Sequence, residues 1–167
     1  FNYKTTIKEY LARISGKTAE LFSLSLYLGA AESGCSYRDS RIFWNIGHNI
    51  GMAFQIIDDI LDYSGSDESI GKPAANDLSQ GIFTLPLIYA LKNDDGTILQ
   101  LIKKSSYNKE DINNIISLVQ EKGGVKKSQE LAARYTEKAF NLIEKLPENP
   151  YKIILKEVSS KLLIREY

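Results

Sequence analysis

The sequence predicts an all-α chain, and three observations carry that expectation. Apolar residues recur at steps of three and four through most of the length, strand-type alternation is absent, and the polar breaks hold cap and turn residues. Taken in order, Tyr10, Ile14, Lys17, Leu21, Leu24 and Leu28 keep the helical step and predict one helix whose apolar stripe includes a lysine. Gly34-Cys35-Ser36 reads as its stop and the next cap, with Cys35 a small filler at the junction. A long helix is expected from Tyr37 to Tyr63. Ser64-Gly65-Ser66 closes it and opens a polar stretch, through Gly71-Lys72-Pro73 to Asp77, with the composition of a loop. Helical patterns resume over 83–91, 97–104, 109–121, 125–146 and 150–166. Between them stand Asn93-Asp94-Asp95-Gly96, residues 105–108, Gly123-Gly124 and Pro147-Glu148-Asn149, and Asp94-Asp95 reads as a helix cap. No repeat, low-complexity tract or internal boundary is visible, so residues 1–167 are read as a single all-α unit.

Composition excludes several classes of function. Basic and acidic residues number 21 each, so the net charge is zero and there is no basic footprint for nucleic acid. A 43% hydrophobic and 25% charged chain is globular rather than disordered. The single cysteine excludes an internal disulfide and a multi-cysteine zinc site, and fits a reducing cytoplasm. No run approaches the ~18 apolar residues of a membrane span. The chain opens on Phe1 with no signal-peptide pattern, and is expected to be a piece of something longer.

Chemistry concentrates in Gly51-Met52-Ala53-Phe54-Gln55-Ile56-Ile57-Asp58-Asp59-Ile60-Leu61-Asp62. At helical pitch, Gln55, Asp58, Asp59 and Asp62 share an arc of about 100°. The rest of the circumference is apolar, as in a helix that belongs in a core. Three carboxylates there repel one another and resist desolvation, so a buried cluster calls for cations or raised pKa values. A D-D-x-x-D by itself is more often a set of aspartates facing solvent at one end of a bundle. The apolar surroundings favour magnesium, a hard ion that bridges carboxylates to substrate phosphates. Lys17 in the apolar stripe either snorkels to water or meets an anion, and Thr18 beside it adds a hydroxyl donor. Lys72, taken alone, reads as a solvated loop lysine. Carboxylates to hold magnesium and lysines to neutralise phosphate oxygens together make a metal-bound diphosphate site.

Gly51 to Asp62, then Gly71-Lys72-Pro73, Asp77-Leu78 and Gly81 with Thr84-Leu85-Pro86, resembles the second aspartate-rich region of trans-polyprenyl diphosphate synthases. Lys17-Thr18-Ala19, followed by Leu28-Gly29-Ala30, looks like that family's lysine-threonine motif. The resemblance covers essentially the whole chain but only the C-terminal half of the family. The other aspartate-rich motif, a neighbouring arginine pair and the residues that set product length belong to an N-terminal half not seen here. Two local departures are Ile82, where many members have a lysine, and Ala75, where a glycine is common.

The resemblance implies the C-terminal half of an antiparallel helical-bundle isoprenoid synthase fold. It implies a magnesium-dependent head-to-tail condensation of isopentenyl diphosphate with an allylic diphosphate. Asp58, Asp59 and Asp62 would hold magnesium, directly or through water. Lys17, Thr18 and Lys72 would contact the allylic diphosphate, and Gln55 would lie near the developing cation. Lys17, Gln55 and Asp58 are the expected catalytic residues. The partners implied are the two diphosphates, the missing N-terminal half and a second subunit, identical or different. His48 is read as a packing residue, and Trp44 and the tyrosines as core or interface groups. Two other readings stay open: a non-catalytic helical subunit of a heteromeric synthase, and another all-α terpenoid enzyme such as a cyclase. Lys17-Thr18 and Gly71-Lys72-Pro73 fit the cyclase less well.

Overall fold

A computed structural model describes residues 5–63, 76–104 and 106–163, without the side chains of Asn76 and Ser79. Among these residues every regular element is helical. Helix α1 (Ile7–Ile14) starts behind a reciprocal cap, in which the Glu9 amide donates to Thr6 Oγ1 and the Thr6 amide to Glu9 Oε2. A π-helical turn, Ser15–Ala19, runs straight into α2 (Glu20–Glu32). That helix stops at Gly34, whose φ of +83° suits glycine, and the Cys35 amide turns back to the Ala30 carbonyl at 3.1 Å. Ser36 Oγ accepts from the Asp39 amide and caps α3 (Tyr37–Leu61). The later helices are α4 (Asn76–Ser79), α5 (Leu85–Leu91), α6 (Thr97–Ile102), α7 (Lys109–Glu121), α8 (Gly124–Glu144) and α9 (Pro150–Leu163).

The helical expectation holds, with local differences. α3 stops at Leu61, two residues early, because the Tyr63 amide tightens onto the Ile60 carbonyl. A short helix, α4, occupies the end of the stretch read as loop. Cys35 is exposed rather than a filler. Asp94 is a cap, as its place in the turn predicts: its two carboxylate oxygens accept from the Ile98 and Leu99 amides, each at 3.0 Å.

The chain divides into two compact units, the first drawn from Phe1–Tyr10 and Ile56–Glu130, the second from Leu11–Gln55 and Leu131–Glu166. In the first, α5 is buried along almost its whole length, and Ile98, Ile102, Ile115 and Val119 from α6 and α7 are fully buried. The first residue of α8, Gly124, lies so close to the Pro86 carbonyl that a Cβ there would stand 2.2 Å from its oxygen. Gln120 Nε2 donates to the Tyr63 carbonyl at 2.6 Å and ties α7 to the segment that ends α3. In the second unit, Ile46 and Ile50 of α3 pack with Ala139 and Ile143 of α8, flanked by Phe22, Leu26 and Leu155.

The first helix departs most from its sequence pattern. The buried residues run Tyr10, Ile14, Ala19, Ser23 and Ala30, with Leu26 half-buried. Leu21 is 67% exposed, and Leu24, Leu28 and Lys17 are exposed too. The π-turn is the cause. Its i→i+5 bonds place one extra residue in a single turn, so every later side chain rotates by about 100° relative to an unbroken α-helix. The expected stripe through Lys17 and Leu21 is therefore replaced by one that steps five residues from Ile14 to Ala19.

Candidate active site

Along α3, Ile56, Ile57, Asp59 and Ile60 are buried, whereas Asp58 is exposed and Gln55 and Asp62 are half-buried. The core character expected of this helix is present, but its four polar groups do not all face the open side. Asp59, at the edge of the polar arc, is turned inward and only 5% exposed. One of its oxygens, Oδ2, accepts a 2.6 Å hydrogen bond from the hydroxyl of Tyr10, which is itself wholly buried. Asp62 lies past the last helical residue, in the turn closed by Tyr63. Burial pushes the Tyr63 phenol well above its ordinary value, and the Asp62, Asp59 and Asp77 carboxylates around it act in the same direction.

In the second unit the lysine-threonine pair sits inside the π-turn. Thr18 Oγ1 donates to Gln55 Oε1 at 2.6 Å. Two glycines of α3 make this possible. A Cβ at Gly47 would lie 2.4 Å from the Phe22 carbonyl oxygen, and one at Gly51 would lie 2.6 Å from the Ala19 Cα. Without those side chains the π-turn and the start of α2 seat directly on α3, and Gln55, one turn beyond Gly51, meets Thr18. Lys17 is exposed and stands off the buried stripe. Lys72 lies outside the described residues, as does most of the polar stretch around it. His48 is half-buried.

Three features were missed in the sequence: the π-turn, the Tyr10–Asp59 bond and the approach through Gly47 and Gly51. The four-residue spacing of those glycines was the available signal for the last. Tyr10 stood in the apolar stripe, where nothing marked its hydroxyl for a partner 49 residues away.

Among the described residues, no three His, Cys, Asp or Glu side chains are grouped closely enough to hold a metal ion by themselves. Oxygen donors that do not form a closed cage still suit magnesium. That ion keeps several waters and takes one or two carboxylates, with substrate phosphates completing its shell.

The sequence profile of the polyprenyl synthetase family matches residues 1–119. The chain belongs to the polyprenyl synthetase family. It is 34% identical to heptaprenyl diphosphate synthase component 2 of Geobacillus stearothermophilus over its whole length, which is 52% of that protein. The Bacillus subtilis component 2 is 36% identical over 88% of this chain and 42% of its own. Among solved structures, heptaprenyl diphosphate synthase from Staphylococcus aureus matches 98% of this chain and 52% of its own with a TM-score of 0.89 and 32% identity. Geranylgeranyl pyrophosphate synthase from Lactobacillus brevis matches 97% and 52% with a TM-score of 0.87 and 38% identity. The chain thus has the helical fold of these synthases and spans about half the length of the curated relatives it matches. The correspondence is to their C-terminal half.

Proposed function

We propose that this polyprenyl synthetase chain supplies the second aspartate-rich half of a magnesium-dependent prenyltransferase that joins isopentenyl diphosphate to an allylic diphosphate. One observation carries the reading: Asp58 is exposed on a helix whose neighbouring positions are buried. A carboxylate kept in solvent beside a buried one is placed to meet a cation from outside.

The difficult step is loss of diphosphate from an allylic carbon, which leaves a carbocation. Bound magnesium would supply positive charge against the departing diphosphate. Asp58, Asp59 and Asp62 are the residues to hold it, directly or through water, and the hard oxygen chemistry of the set supports them. Lys17 and Lys72 would neutralise phosphate oxygens, and Thr18 would donate to one. Gln55, whose carbonyl oxygen accepts from Thr18, would turn that oxygen toward the developing cation. Apolar side chains of α3 would keep out water that quenches the cation. The same proposal places the enzyme in the cytoplasm, as a homodimer or heterodimer. The two component 2 relatives support the heterodimer, since their names imply another component. Among the described residues no helix is long and apolar enough to cross a membrane.

The test is Asp58→Ala in the complete protein, assayed with labelled isopentenyl diphosphate, allylic starters and magnesium. A loss of about a hundredfold or more in kcat with an unchanged melting temperature is expected. Unchanged turnover at saturating magnesium would remove Asp58 from the site.

A further inference from the structure

We propose that Tyr10 is a positioning residue for the acidic end of α3, acting through Asp59. The inference rests on the diphosphate-magnesium reading above and names a side chain that reading does not use. Asp58 and Asp59 are neighbours in sequence with opposite environments, one exposed and one 5% exposed. A buried carboxylate is costly unless its oxygens are hydrogen-bonded. The Tyr10 hydroxyl meets that need at Oδ2, at 2.6 Å. The bond is short, and both partners sit where solvent cannot compete with it. Tyr10 lies in the middle of α1 with its side chain fully buried, so packing against its ring holds the hydroxyl in place.

The geometric consequence concerns Asp58. Consecutive residues on a helix are set about 100° apart, so the phase of α3 that turns Asp59 inward also presents Asp58 outward, and the Tyr10 bond adds to the buried isoleucines in holding that phase. Tyr10 thus stands to the carboxylate pair as an outer hydrogen-bond partner stands to a metal ligand. Such partners typically change metal affinity ten- to a hundredfold when removed.

The experiment uses the complete protein, with Mn2+ as the probe, titrated by electron paramagnetic resonance in the presence of inorganic diphosphate. Tyr10→Phe keeps the ring and removes the hydroxyl alone. The expected result is Mn2+ binding weakened about tenfold, and no further weakening when Tyr10→Phe is added to Asp59→Asn. Tyr10→Phe with wild-type Mn2+ affinity would overturn the proposal, even if its melting temperature fell. So would a full additional loss in the Asp59→Asn background, because Tyr10 would then act by another route. Asp58→Ala is titrated alongside. If it weakens binding while Tyr10→Phe does not, only the role of Tyr10 fails. If neither variant weakens binding, the metal reading of α3 fails with it.

Discussion

Gly51 of α3 lies so close to Ala19 of the π-turn that a Cβ built on it would stand 2.6 Å from the Ala19 Cα. No side chain fits there without moving backbone. Gly51→Ala is therefore expected to cost about 1–3 kcal/mol, the range for overpacking. Gly29→Ala makes the contrast: that glycine is inside α2 with nothing within 4 Å of its added carbon. It should gain roughly 0.5–1 kcal/mol by replacing a flexible residue with a helix former. Urea titrations of the two variants check both signs.

The π-turn adds one residue to a helix whose buried stripe otherwise keeps α-helical spacing. Deleting Gly16, which is exposed, would restore four-residue steps from Tyr10 through Ile14 and Ala19 to Ser23. The core contacts should survive, while the displayed Lys17-Thr18 pair is drawn into a regular helix. The expected outcome is near-native circular dichroism and a fall in turnover on the order of a hundredfold, as for a misplaced binding group. Turnover close to wild type would mean that the turn has no part in the site.

Acid should act on the loop before α6. Thr97 donates to Asp95 Oδ1 from its hydroxyl at 2.7 Å and its amide at 3.2 Å, and Lys122 Nζ lies 3.4 Å from the other oxygen. The Thr97 hydroxyl, then its amide, then Lys122 hold the Asp95 carboxyl at about 2, below its usual 3.8. A pKa depressed in the folded state means stability that is present above the unfolded value and lost as pH falls toward the folded one. Asp95→Asn should accordingly be less stable than wild type at neutral pH, with the gap closing between about pH 4 and pH 2. A gap that does not change with pH would show that the charge contributes nothing.

The second unit exposes Leu21, Leu24 and Leu28 on α2 and Tyr151, Ile153, Ile154 and Val158 on α9. Leu21, Phe22, Leu26, Leu155, Val158 and Leu162 line an apolar groove of about 320 Å3 there. Large exposed apolar faces mark surfaces that bind protein, membrane or ligand, or that aggregate when left bare. Expressed alone, Phe1–Tyr167 should bind a hydrophobic dye, self-associate and fail to transfer prenyl groups. Light scattering and the transfer assay check this, and a monomer with normal activity would refute it.

Local information was enough for much of this protein. Helical periodicity, the Ser36 and Asp94 caps, the Gly34 stop and the apolar positions that flank Asp58 on α3 all depend on residues within a turn or two of one another, so they were legible in order along the chain. The acidic helix and the lysine-threonine pair were legible for the same reason. What the sequence could not decide was which way each group faces. One extra residue in the π-turn rotated Lys17, Leu21, Leu24 and Leu28 out of the predicted stripe, because helical phase accumulates and a single insertion shifts everything beyond it. The opposite fates of Asp58 and Asp59 were equally hidden: adjacent residues differ by about 100° in direction, and tertiary packing, in which Asp59 meets the buried Tyr10 phenol, turns one of them inward. Sequence determined the helices and the chemical groups they carry; tertiary packing decided which carboxylate is exposed and which is held from behind, because that choice depends on a partner 49 residues away.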